Sequence, residues 1–84
     1  MARPTLVLLP GLLATRRVFQ PQIDALSDIV DIVVPELWHY DSMAAMADAA
    51  LAMAPARFAL AGFSMGGYVA FEVLRRASER VERL

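Results

Sequence analysis

Apolar positions along the chain alternate between short unbroken runs and stripes at helical spacing. Thr5–Leu9 is an apolar run closed by Pro10-Gly11, the pattern of a strand buried on both faces that ends in a sharp turn. Phe19, Ile23 and Leu26 then fall at i, i+4 and i+7, one face of a helix. Pro21 suits the first turn of that helix, where its missing N–H costs nothing. Ile29–Val34 reads as a second strand stopped by Pro35, followed by a loop over Glu36–Asp41.

The clearest periodicity is Met43, Met46, Ala47, Ala50, Leu51 and Ala54, ended by Pro55. Asp41 or Ser42 can cap that helix by accepting from a free backbone N–H. Phe58–Ala61 is a third strand, and Val69, Val73, Leu74 and Ala77 line one side of a helix starting near Ser64–Met65. The order is β-α-β-α-β-α, without repeats or linkers. Strands joined through helices run parallel with right-handed crossovers. The expected fold class is therefore α/β, a three-stranded parallel sheet flanked by helices on both faces.

Composition sharpens this picture. Of 84 residues, 58% are hydrophobic, above the roughly 45–50% of ordinary soluble domains. A chain this short buries only about 60–65% of its unfolded surface, so the excess predicts apolar surface that further protein covers. There is no cysteine, which rules out disulfide staples and cysteine metal sites and suits a cytoplasmic location. The net charge is −1 with no basic stripe, which excludes nucleic acid as a partner. Arg16–Arg17 and Arg75–Arg76 read as solvated pairs. Met1–Ala14, with one arginine and then Leu6-Val7-Leu8-Leu9, loosely resembles a secretion signal, but Pro10-Gly11 breaks the run and Arg16–Arg17 stand where small residues should be. No apolar run reaches the 18 or more residues of a membrane span.

The chemistry concentrates at Gly62-Phe63-Ser64-Met65-Gly66-Gly67, which contains G-x-S-x-G. Glycine and serine each make up about 7% of average sequences, so a chain of this length carries the motif by accident roughly 3% of the time. It also lies between a strand and a helix, as a nucleophile elbow requires. A serine hydroxyl becomes a useful nucleophile when it projects toward a base and a substrate. A tight, strained turn provides that projection. Gly62 and Gly66 are small where the turn closes on itself, and Gly67 is expected to let the helix start close to the sheet. The N–H of Met65, at the helix N-terminus, can bind an oxyanion formed on attack by Ser64. Leu12, after the first strand, can supply a second donor if that strand neighbours the elbow strand. The alternative is a phosphate-binding or merely tight glycine turn; against it, the dinucleotide pattern G-x-G-x-x-G is absent, and so is the lysine of a phosphate loop.

Three stretches, LLPG, DIVVPELWHYDS and FALAGFSMGGYVAFEVL, resemble the α/β-hydrolase superfamily, of the single-domain esterase and lipase-like kind. The family's oxyanion loop maps onto Leu6–Leu12, with Pro10 where histidine is common. Its loop after the next strand maps onto Pro35–Ser42, here without the family's glycines. Its elbow maps onto Gly62–Gly67. The resemblance implies Ser64 as nucleophile acting through an acyl-enzyme, with Leu12 and Met65 as oxyanion donors. It implies a small-molecule ester or related acyl substrate and neither metal nor organic cofactor, because the serine forms the covalent intermediate itself. The same elbow serves esterases, lipases, thioesterases, peptidases and some acyltransferases, and the motif does not choose among them.

Family members place the catalytic acid and then the histidine after the serine. After Ser64 this chain has Glu72, Glu79 and Glu82 but no histidine. His39 precedes the serine, on a loop where the resemblance gives it a pocket or structural role, and Asp41 reads first as a helix cap. Residues 1–84 are therefore expected to be part of a domain broken off before its acid and histidine, and inactive alone. Arg80–Leu84 reads as entry into a fourth strand that does not form. That would leave Phe58–Ala61 as an open apolar edge, available for self-association or for a complementing chain. The alternative function is a non-catalytic interaction fragment, or half of a split hydrolase, pairing through that edge. Leu12, Leu13, Trp38 and Met65 suit an acyl pocket and the core equally well.

Overall fold

The computed structural model describes residues 3–11, 16–37 and 40–84. Leu12, Leu13, Trp38 and His39 lie outside these, so the oxyanion role of Leu12, the pocket roles of Leu12, Leu13 and Trp38, and the histidine have no structural counterpart here.

The elements are β1 (Thr5–Leu9), a 3₁₀ turn (Arg16–Phe19), α1 (Gln20–Leu26), β2 (Asp31–Val33), α2 (Met43–Met53), β3 (Phe58–Gly62), α3 (Met65–Ala77), a second 3₁₀ turn (Ser78–Arg80) and β4 (Val81–Arg83). Among the described residues the sheet is four-stranded, in the order β2-β1-β3-β4, and its pairings are parallel. This corrects the three-stranded expectation. The last residues do form a strand: Val81 is half-buried against the core, while Glu82 and Arg83 face solvent. β4 thus covers the first residues of β3, pairing at Phe58 and Ala59, while Leu60–Gly62 line an open groove with Phe71 and Leu84.

Arg80 explains why the chain returns to the sheet so soon after α3. Its guanidinium donates to the carbonyls of Leu51, Ala54, Pro55 and Ala56 at 2.7–3.3 Å and lies 5.6 Å from the centroid of the Phe58 ring. The last carbonyls of a helix lack intrahelical partners, and a cation there also suits the helix dipole. One side chain therefore ties the end of α2 to the turn before β4.

Alternation along β1 sorts the core into two layers, since successive strand residues point to opposite faces. Val7 and Leu9 pack with Phe58, Leu60, Met46, Ala47, Ala50, Val69 and Val73 beneath α2 and α3. Leu8, with Leu6 beside it, packs with Phe19 and Ile23 of α1 on the other face. α2 begins as expected, with Ser42 Oγ accepting from the Ala45 N–H at 3.1 Å. The second strand is shorter than expected. Ile29 and Val30 both donate to the Leu26 carbonyl at 3.0 Å, so they turn out of α1, and Ile29 is 62% exposed.

Candidate active site

The strand order places the site. From β1 the chain moves to β2 on one side, whereas β3 and β4 lie on the other. The direction of winding reverses between β1 and β3. In open α/β sheets the crevice outside the carboxyl ends of the strands at such a reversal is where ligands bind. The two segments leaving those ends are Pro10-Gly11 after β1 and Phe63-Ser64 after β3.

Ser64 sits between β3 and α3 with φ 56° and ψ −119°, backbone space that residues bearing a Cβ rarely occupy and that costs about 1–3 kcal/mol. Among the described residues it is the one non-glycine with positive φ. Ser64 is exposed, and although it stands at the N-cap of α3 its side chain makes no capping hydrogen bond. Behind it the backbone bonds are those of a tight turn: Gly66 N–H to Phe63 O and Gly67 N–H to Ser64 O, both 2.9 Å. The N–H of Met65 has no backbone partner among the described residues, so it is one of the orphan donors at the helix start.

The glycines act differently from one another. A Cβ on Gly62 would lie 2.5 Å from the Gly66 carbonyl carbon and 2.7 Å from the Gly67 nitrogen, so Gly62 is small because the turn closes on itself. A Cβ on Gly66 would run into the Leu9 and Pro10 carbonyls of the β1 end. Gly67 corrects the sequence reading: a Cβ there would meet nothing within 4 Å, and the close approach of α3 to the sheet is made by Gly66 instead. Met65 is half-buried against the α2/α3 core, which places its side chain with the core and leaves its N–H at the site.

Sequence reasoning missed Gly11 as a site residue. A Cβ there would stand 3.2 Å from Ser64 Cβ and 3.2 Å from Phe63 O. It also missed Tyr68 and Phe71. A groove of about 460 Å³ runs from Ser64 along Gly67, Tyr68 and Phe71. These two aromatics fall off the buried stripe of α3, which is Gly66, Val69, Ala70, Val73 and Ala77. Apolar residues on the wrong face of a helix were the available signal. Tyr68 is 65%, Phe71 60% and Leu84 67% exposed. No group of side chains able to hold a metal ion occurs among the described residues, and no helix there is long and apolar enough to cross a membrane.

A parallel sheet with helices on both faces, and a G-x-S-x-G turn between strand and helix, define a protein of the α/β-hydrolase superfamily. Within it, the sequence model of the Thioesterase domain family matches residues 4–84, and the chain belongs to that family. It is thus of hydrolase type. No curated protein matches the chain significantly.

Proposed function

We propose that the chain carries the nucleophile half of a serine-dependent acyl hydrolase site, with a small-molecule acyl thioester or related ester as substrate. The strained, outward-facing Ser64 at the carboxyl end of β3 is the observation that carries this reading. Ser64 Oγ attacks the acyl carbonyl carbon and gives up its proton to a base. The C–S bond (C–O in an ester) then breaks, the leaving group departs with a proton, and water cleaves the acyl-serine to a carboxylic acid and free Ser64. During attack the charge on the carbonyl oxygen is met by the Met65 N–H at the positive end of α3. Leu12, the second donor expected from the sequence, stays part of the proposal on sequence grounds. The base, for which the resemblance expects a histidine after Ser64, is not assigned to His39, which keeps its pocket or structural role.

Intact-mass labelling with a fluorophosphonate tests the assignment, with imidazole added as a general base in solution. The chain has further exposed serines at Ser27, Ser42 and Ser78, which serve as internal references. The expected adduct lies on Ser64 and disappears in Ser64→Ala. Labelling of Ser64 no faster than of Ser42 or Ser78 would sink the proposal. The exposed Tyr68, Phe71 and Leu84 favour a second reading, an interaction fragment without chemistry, and that same negative result would support it.

A further inference from the structure

We propose that Gly11 is a positioning residue for Ser64, a bare surface against which the serine's β-carbon is seated. This rests on the reading of Ser64 as nucleophile, but its structural content can be tested separately.

The register supplies the first observation. β1 and β3 pair in parallel with Leu9 beside Gly62. Two residues further along each strand are Gly11 and Ser64, and the two chains remain neighbours there. Phe63 N–H, donating to Leu9 O at 3.0 Å, holds the segments together just before they diverge. The second observation is steric. A Cβ on Gly11 would stand 3.2 Å from Ser64 Cβ, inside the ordinary contact distance of about 3.5–4.0 Å between carbons, and 3.2 Å from Phe63 O. The third observation concerns backbone angles. No glycine among the described residues has positive φ, so Gly11 is not there for a left-handed backbone. The crowding at Ser64 Cβ and Phe63 O is therefore the reason the structure gives for a glycine at this position. A methyl group there pushes Ser64 outward by a few tenths of an ångström and disturbs the one strained residue of the turn. Attack geometry is sensitive to such shifts, since a misplacement of about 1 Å can cost 10²-fold in rate.

The test is Gly11→Ala, alone and combined with Ser64→Gly in the full chain. Removing the serine's β-carbon removes half of the crowding. The loss of Tm caused by Gly11→Ala should therefore be clearly smaller in the Ser64→Gly background, the non-additivity expected of residues in contact. The Ser64 Cα and Cβ chemical shifts should move in Gly11→Ala, while those of α2 stay in place. Fluorophosphonate labelling of Ser64 should slow by about tenfold in the folded variant, a few tenths of an ångström costing less than a full one. Additive Tm changes together with unmoved Ser64 shifts would overturn the proposal. If Ser64 labels in neither protein, the nucleophile reading fails, but the Tm cycle and the shifts still decide whether Gly11 seats the serine.

Discussion

The carbonyl of Leu9 occupies the place where a side chain on Gly66 would begin: a Cβ there would lie 2.6 Å from the Leu9 carbonyl carbon and 2.8 Å from Pro10 O. Both neighbours are backbone, Leu9 is held by the pairing of β1 with β3, and neither can rotate away as a side chain would. Overpacking a core costs about 1–3 kcal/mol, sometimes more. Gly66→Ala should fall at the upper end, near 3 kcal/mol. At about 4–8 °C per kcal/mol for a domain of this size, Tm should drop by roughly 12–24 °C. Gly67→Ala is the contrast. Its Cβ meets nothing within 4 Å, and alanine favours a helix over glycine by up to about 1 kcal/mol. Thermal melts should show Gly67→Ala equal to or above the parent. A variant that melts as low as Gly66→Ala would show that α3 approaches the sheet at both glycines.

Ser64 invites a different comparison. Its φ of 56° and ψ of −119° suit glycine, which has no Cβ to collide with its own backbone. Ser64→Gly should therefore be more stable than Ser64→Ala by about 1 kcal/mol, within the 1–3 kcal/mol such conformations store. Both variants lose the hydroxyl and should lose labelling equally. Chemical denaturation of the two side by side measures the difference, and equal midpoints would mean that the turn carries no strain.

Most of this fold was legible in the sequence because its signals are local. β1 falls where its apolar run and Pro10-Gly11 placed it, and α2 begins at the Ser42 cap. The elbow needed only spacing and its strand-to-helix setting. What stayed hidden depended on partners remote in sequence. Arg80–Leu84 reads as the entry to a strand, but β4 has one half-buried residue, Val81, too little to show that it pairs. It is placed by Arg80 reaching back to α2. The resemblance puts Gly11 within the oxyanion loop, but its contact with Ser64 is visible only once strand register brings the two together. The motif makes Gly67 the residue that lets α3 start close to the sheet, whereas the space around it is open.

Arg80 offers a direct check on that remote placement. Its bonds to the carbonyls of Leu51, Ala54, Pro55 and Ala56 involve an ionised donor, and such bonds contribute about 1.5–3 kcal/mol. Arg80→Met keeps much of the apolar stem and removes the fork. It should destabilise the chain by about 2 kcal/mol, and amide exchange should accelerate in the last turn of α2 and in β4 together. Arg80→Lys should recover only part of the loss, because a single ammonium cannot reproduce the planar fork. Full recovery by lysine would mean that charge alone, acting on the α2 terminus, is what matters.

Self-association is expected through a different surface from the one the sequence suggested. With the start of β3 paired to β4, one group of exposed apolar residues lies around α3: Phe63 at 54% exposure, with Tyr68, Phe71 and Leu84. Contiguous apolar patches on soluble proteins mark contact sites, whereas β4 presents Glu82 and Arg83, charges of the kind that blunt an edge against pairing. The 84-residue chain should therefore sediment as a concentration-dependent mixture of monomer and larger species. Tyr68→Ser with Phe71→Ser should shift it to monomer at the same loading. Both residues lie outside the buried stripe of α3, so Tm should change little, within the roughly ±0.5 kcal/mol typical of surface substitutions. If Val81→Pro disperses the oligomer and the double serine variant does not, association runs through the β4 edge, and the aromatic face of α3 must be assigned another role.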